Sequence, residues 1–476
     1  MLDIKFIREH ADEVKKAIAD KQIDLNLDQF LELSERRRAL LSETETLQAT
    51  KNSVSKEIPK LSPEDKKVKI LEMQEVDSRY GELKQQLREA ELEYEIFLLR
   101  VPNIPSPETP VGKDSSGNVP WSYWNPDLGH VDPKDKGKVA EVPTKFNFPV
   151  KDHIALGEAL DLLDTKAGVK TSGFRGYYLK NEAVLIQQAL LLHALNKLVA
   201  KGFKPMVTPT LVREFVLTGS GHFPAGREEI YRIANAGEQD GAPSKEPLFL
   251  AGTSEPSLLA YYADTVLEEK DLPIKVCGIS PCYRSEVGSY GKDTRGIYRI
   301  HEFMKVEQVV LCAADIFESE KWHEVLRETA EEILRELKLP YRVVNVCTGD
   351  MGAGKYKMYD IETWMPSRND YGETHSDSNL TDWQARRLGI RYKGKDGKLK
   401  FVYTLNNTAI ASPRILIPIL ENYQQQDGSV VVPEILRALV GKDRITPTNA
   451  PVAPAPEAPA PAAPPAPPAD KAKIDT

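Results

Sequence analysis

Apolar residues recur at alternating steps of three and four through most of the first hundred positions, and at steps of two through much of the remaining chain. The first spacing keeps one face of a helix apolar, the second one face of a strand. From Leu2 to Lys21, Ile7, Val14, Ala17 and Ile18 mark one face of a short amphipathic helix that Asp3 can cap. From Leu25 to Ile58, Leu33, Leu40, Leu47 and Val54 return every seventh residue, and the partner row is polar: Arg37, Thr44 and Lys51. The run Pro59-Lys60-Leu61-Ser62-Pro63 breaks that helix. Ser62 then caps a second one, with Pro63 in its first turn and a row of Met73, Val76, Tyr80, Leu83, Leu87, Ala90, Tyr94 and Phe97. Two long helices across a tight turn fold back antiparallel, giving an arm on the order of 45–50 Å long at about 1.5 Å per residue.

The pattern then changes. A Pro/Gly/Ser-rich linker is expected from Val101 to about Asp127. Ala183 to Ala200 reads as a buried apolar helix. A strand from Met206 is interrupted by Pro209, which suits an edge or a break point. Phe249-Leu250-Ala251 is a strand end emptying into Gly252, Thr253, Ser254 and Glu255, and SEPSLLAYYAD opens a helix. Val276 to Gln308 reads as a long hairpin whose loop holds Gly288, Gly291, Lys292, Arg295 and Gly296 and whose return strand starts near Ile297. Ser412 and Pro413 are expected to start a late helix with Arg414 in its first turn. From about Thr446 the chain is Ala and Pro, a composition that buries no core and predicts a disordered tail.

Composition narrows the class. The hydrophobic fraction of 41% and charged fraction of 28% suit a soluble globular protein of two or three domains. A net charge of −8 excludes a generally nucleic-acid-coated surface, so any RNA contact must come from local Lys and Arg. Cys277, Cys282, Cys312 and Cys347 form no CxxC pair and read as reduced core residues. Neither a signal peptide nor a bilayer-spanning stretch is expected, which predicts a cytoplasmic protein.

Candidate chemistry sits at the strand ends. Arg284 and Glu286, two apart, are expected on one face of the hairpin, where the planar fork of an arginine suits a phosphate and a carboxylate suits a base amino group. Solvated surface charges are the rival reading. Glu255 can pair with an ammonium and Thr253 with a polar group, while Ser254 also suits a helix cap. Glu373 and Ser376 offer the hard oxygens magnesium prefers, and His375 between them reads as a solvated loop residue. Gly349 to Tyr356, GDMGAGKY, matches GxxxxGK but lacks the hydroxyl that would hold magnesium, and strand-like residues flank it on both sides, so a phosphate loop is rejected.

YRSE at 283–286, SYGKDTRG, and the return RIHEF–KVE resemble the second signature motif of class II aminoacyl-tRNA synthetases, closest in wording to the bacterial-type seryl family. MVTPTLV resembles the first motif, LNNTAIASPR with ENYQQ–DGS–VPEILR the third, and GTSE the TxE serine segment. The resemblance implies an α+β fold: an antiparallel-sheet class II catalytic domain preceded by the coiled-coil arm. The domains are then residues 1–105 for the tRNA-binding arm, 106–445 for the catalytic domain and 446–476 for the tail.

By the same resemblance the chain is a homodimeric ligase joining L-serine to tRNA(Ser), and to tRNA(Sec) where present. Thr253, Ser254, Glu255, Glu307 and Thr408 would bind serine. Arg284, Ser285, Glu286, Ile300, Phe303, Glu373, Thr374, His375, Ser376 and Arg414 would bind ATP, with Glu373 and Ser376 on Mg2+. The arm would meet tRNA through Arg36, Arg37, Arg38, Lys51, Lys56, Lys60, Lys66, Lys67 and Lys69, and no membrane partner is implied. Two departures stand out: Asn407, Thr408 and Ser412-Pro413 replace the family's usual glycines, and Glu302 replaces its usual Gln. Charging a carrier protein instead of tRNA is the alternative, and the long arm argues against it.

Overall fold

The structure, a computed structural model, describes residues 1–235, 237–239, 242–243, 246–287 and 295–447. The hairpin-loop residues Gly288, Gly291 and Lys292, and the tail beyond 447, lie outside them.

The N-terminal segment folds as α1 (Ile4–Glu9) and α2 (Ala11–Asp20), two short helices where one was expected. The Asp3 carboxylate caps the first, and the chain breaks at His10, whose φ/ψ of −125°/38° is not helical. The arm follows as α3 (Leu27–Glu57) and α4 (Pro63–Arg100), capped by Asn26 and Ser62. Phe30, with Tyr94 and Phe97 of the returning helix, packs under Ile7, Val14 and Ile18, so the root of the arm shares a core with α1 and α2. Leu33, Leu40, Leu83, Leu87 and Ala90 continue the seam outward. Further out Leu47 and Val54 still turn inward, and ion pairs join them: Arg79–Glu43 at 3.2 Å and Lys51–Asp77 at 2.7 Å, with Lys51 4.4 Å above the Tyr80 ring. Near the tip Val68, Ile70 and Leu71 are exposed.

The expected linker is not free. Val101 and Asn103 are buried, and the Asn103 amide donates to the carbonyls of Gly354 and Leu380. Val119–Asn125 is already a strand of the main sheet. The prolines and glycines here mark a fixed path across the domain rather than a hinge.

The main sheet contains β1 (Val119–Asn125), β2 (Gly129–Val131), β3 (Lys204–Val207), β4 (Ile274–Tyr283), β5 (Glu302–Cys312), β6 (Tyr341–Asn345), β7 (Lys357–Met365), β8 (Asp370–Asn379) and β9 (Tyr403–Ser412). Their spatial order is β2-β1-β6-β7-β8-β9-β5-β4-β3. Every pair is antiparallel except the last, where β3 runs parallel to β4 at the edge. Pro209 lies just past that edge strand, where no ladder hydrogen bond is lost. The central strands are buried along most of their length.

Two helices cover the sheet. α5 (Glu182–Ala200) sets Ile186, Leu190, Ala194 and Leu198 against it, and α8 (Ile316–Glu336) sets Leu326, Ala330, Ile333 and Leu334 there. At 19 residues α5 is long and apolar enough to cross a membrane, contrary to the sequence expectation, but here its buried face belongs to the main core. Shorter helices frame the open end of the sheet: α6 (Glu214–Ser220), α7 (Glu255–Ala260), α9 (Trp383–Leu388) and α10 (Leu416–Asn422). The four cysteines are free and buried.

Candidate active site

Strands β4, β5, β8 and β9 adjoin at the centre of the sheet, and side chains from one face of β5, β8 and β9, with the turns after β4 and β9, enclose a cavity of about 240 Å³. Thr253, Glu255, Arg284, Glu286, Ile300, Phe303, Glu307, Glu373, Thr374, Ser376, Thr408 and Arg414 all line it. These residues come from well-separated parts of the sequence, and only the sheet brings them together.

One end is a buried polar pocket. Glu307, within β5, is 2% exposed. Its carboxylate accepts from the Lys305 ammonium at 2.7 Å and, at 3.4 Å, from the Thr408 hydroxyl across a bulge in the β5–β9 ladder. Burial pushes this carboxyl above the usual range, against the pull of Lys305. Glu255, at the start of α7, accepts from the Gln384 amide at 2.6 Å, and the Gln384 carbonyl accepts from Thr404 at 2.7 Å. The carboxylate is thereby held in one orientation before any ligand arrives.

The other end holds two arginines. The guanidinium of Arg284 stacks on the Phe303 ring at 5.2 Å and donates to the Gly252 carbonyl at 3.3 Å. Arg414 stacks on Tyr298 at 4.4 Å, donates to the carbonyls of Tyr298 and Glu373, and lies 3.5 Å from the Glu373 carboxylate. Its position differs from expectation. The strand β9 runs to Ser412, and the helix begins only at Leu416, so Arg414 sits in the intervening turn rather than in a first helical turn. Arg284 and Glu286 likewise lie beyond the end of β4 at Tyr283, and Glu286 has φ +54°. They share the cavity through this turn, not through strand alternation. Residues 297–301 are also outside the return strand, which starts at Glu302. Glu286 pairs with Arg175 and Arg299, each at 3.3 Å, so it is not a solvated charge.

Three expected site residues turn their side chains elsewhere. Ser254 is 1% exposed and reaches toward the Gly278 carbonyl under β4. Ser285 donates to the Glu228 carbonyl at 2.9 Å. His375 is no loop residue: it lies within β8, is 1% exposed, and bonds Thr374 at 2.9 Å. Burial lowers its imidazole to about 4, so it stays neutral near pH 7. Alternation along β8 puts Thr374 and Ser376 on the cavity and His375 behind it.

Other residues of the cavity were missed from sequence: His222, Tyr298, Lys305, Lys355, Ser378 and Asn406. Lys305 had a legible signal, since it alternates in register with Phe303 and Glu307. His222 and Lys355 arrive on loops and had none.

The acidic edge fits a divalent cation. Asp360 stands opposite Ser376, and Glu362 opposite Glu373, in the β7–β8 ladder. One Asp360 oxygen is buried without a partner, and burial together with repulsion from Glu373 and Glu362 raises this carboxyl well above its usual range. Among the described residues no three His, Cys, Asp or Glu form a complete metal site. A partial set suits magnesium, which commonly takes one or two carboxylates and completes its shell with phosphate and water.

Comparison with known proteins gives a consistent answer. Residues 1–105 match the family described as the seryl-tRNA synthetase N-terminal domain, and 238–423 the tRNA synthetase class II core domain (G, H, P, S and T). The chain is 45% identical over 441 residues to the serine–tRNA ligase of Deinococcus radiodurans, covering 93% of this chain and 98% of that one. Its fold is similar to that of the seryl-tRNA synthetase from Pyrococcus horikoshii complexed with ATP: TM-score 0.81, 39% identity, 94% of this chain and 100% of the other. It is also similar to the cytoplasmic serine–tRNA ligase from Naegleria fowleri in complex with AMP: TM-score 0.78, 30% identity, 94% and 99% covered.

Proposed function

The chain belongs to the seryl-tRNA synthetase family, and from that membership we propose how its cavity joins an amino acid to a nucleotide. Its activity is that of a serine–tRNA ligase, with ATP, serine and tRNA(Ser) as substrates. Nothing in these relationships favours a carrier protein as acceptor.

Serine enters the buried end. Its ammonium meets Glu255 and Thr253, and its hydroxyl meets Glu307 and Thr408. ATP lies along the open side, with adenine against Phe303 and Ile300 and its amino group toward Glu286. Arg284 takes the α-phosphate and Arg414 the γ-phosphate. The serine carboxylate attacks the α-phosphorus, pyrophosphate leaves, and seryl-adenylate remains. A 3′-terminal tRNA hydroxyl then attacks the acyl carbon and AMP leaves. Positioning and charge stabilisation carry both steps. Magnesium, held by Glu373 and Ser376 with Asp360 behind, would neutralise phosphate charge. Serine selectivity follows from its hydroxyl: alanine would forgo the hydrogen bond that serine donates to the buried Glu307 carboxylate.

The single observation that carries this reading is that Arg284, Arg414, Glu255 and Glu307 line one cavity. The direct test is aminoacylation of total tRNA with labelled serine. Charging of a serine-accepting fraction is expected, and ATP–pyrophosphate exchange without any charging would overturn the reading.

We also propose a homodimer in the cytoplasm, with the face around β3 as its interface. Val207 is 86% exposed there, and Leu211 and Phe215 are exposed beside it. Sedimentation of the full chain should give twice its mass of 53.3 kDa, and a monomer at micromolar concentration would count against this.

The arm's basic residues divide into two sets. Arg37, Arg38, Lys51 and Lys69 are engaged in ion pairs with Glu91, Glu35, Asp77 and Glu72. Arg36, Lys56, Lys60, Lys66 and Lys67 are exposed and form no ion pair among the described residues. This second set is the one we assign to tRNA phosphates.

A further inference from the structure

The rejected phosphate-loop sequence has a place in the cavity. The loop from Gly349 to Tyr356 leads into β7 and delivers Lys355 to the lining of the cavity that also holds Glu307 and His222. The loop is held from several sides. Lys21, just past the end of α2 and itself buried, donates to the carbonyls of Ala353 at 2.9 Å and Lys355 at 2.6 Å. The backbone N–H of Asn103 donates to Ala353 at 2.9 Å, and its side-chain amide to Gly354 at 3.2 Å. Gly354 lies so close to the Trp383 ring that an added Cβ would come within 2.6 Å of it. A side-chain amide and a buried lysine of the N-terminal segment therefore fix the backbone on which an active-site lysine stands.

The Lys355 ammonium has no partner of its own among the described residues. The other cations of the cavity are engaged: Lys305 with Glu307, Arg284 with Gly252 and the Phe303 face, Arg414 with Glu373 and Tyr298. A hydroxyl carries one hydrogen and two lone pairs. At the buried end Glu307 accepts only, and the Thr408 hydrogen is already directed at Glu307. That pair satisfies the hydrogen of a substrate hydroxyl and leaves its oxygen to an ammonium: Lys305 already directs one hydrogen at Glu307, whereas all three of Lys355 are uncommitted among the described residues.

We propose that Lys355 donates to the hydroxyl oxygen of bound serine, so that the site reads that group as acceptor and donor together. The inference rests on the proposed seating of serine at the buried end. Alanine would leave the Lys355 ammonium without an acceptor and give Glu307 no third donor, which sharpens the discrimination. Lys21 and Asn103 act as positioning residues through the loop.

The test is amino-acid-dependent pyrophosphate exchange by the full-length protein, with L-serine and with L-alanine in excess. For Lys355→Met, kcat/KM for serine should fall about 10- to 100-fold, the size of one charge-assisted hydrogen bond. Exchange with alanine and KM for ATP should hardly move, so the serine-over-alanine ratio collapses by the same factor. Lys355→Arg should restore part of the ratio, and Lys21→Met should lower it in the same direction by less. An unchanged ratio in Lys355→Met overturns the proposal, as does an equal loss with both amino acids, which would put Lys355 on a group they share. Glu255→Gln separates this from the placement of serine itself. If Glu255→Gln leaves KM for serine unaltered, that placement fails whatever Lys355 does.

Discussion

Replacing Arg284 with alanine is expected to abolish serine-dependent pyrophosphate exchange, with a fall of about 10³-fold, the upper range for loss of one preorganised charge-stabilising donor. The reason is geometric. Arg284 is held by Phe303 and the Gly252 carbonyl, so its free donors are already oriented before ATP binds. In the proposed reaction charge moves onto the α-phosphate oxygens as the serine carboxylate attacks, and a fixed guanidinium there would meet it without reorganising. Lysine at 284 should recover little, because it lacks the planar fork and the stacking surface. The arm lies apart from this cavity, so tRNA binding by Arg284→Ala should persist and serves as the check on folding. Near-normal exchange would take Arg284 out of the reaction.

The second large effect concerns the arm. Removing residues 45–78, outward of the Glu43–Arg79 ion pair, and closing the gap with a short glycine-containing turn should leave pyrophosphate exchange within about twofold. Charging of tRNA should fall on the order of 10³-fold, since several phosphate contacts are lost together. The cut matters. Deleting the whole arm from Asn26 to Arg100 would strip Phe30, Tyr94 and Phe97 from α1 and α2, and with them the support of Lys21 on the Lys355 loop. Such a protein would lose activation for a reason unrelated to tRNA. If the short deletion charges tRNA at the normal rate, the arm is a spacer.

Much of this was legible in the chain. The heptad of Leu33 and Leu40 and the cap at Ser62 defined the arm to within a few residues, because a two-helix seam is a local periodic signal. Phe303 and Glu307 could be placed because they alternate on one strand. Glu286 and Arg414 could be named but not positioned: each sits in a turn just past an element, and turn geometry depends on tertiary partners such as Arg175 and Tyr298. His375 was misjudged because a polar string, ETHSDSN, looks like a loop, yet between β7 and β9 it is a central strand with His375 on its buried face. The path from Val101 to Asp127 misled for a related reason. Its prolines and glycines signal irregular backbone and say nothing of whether that backbone is clamped.

The inward-facing polar row of α3 has a mechanical consequence. The root of the arm is bolted by aromatic and leucine packing, while its outer half has sparser apolar contacts supplemented by ion pairs and its tip shows aliphatic side chains to water. Such a beam is stiff at its mount and compliant at its end, and added salt should slacken the outer lacing without loosening the mount. It behaves as a tapered cantilever: a long molecule can be caught over a range of angles, while its reactive end is always delivered from one fixed anchorage.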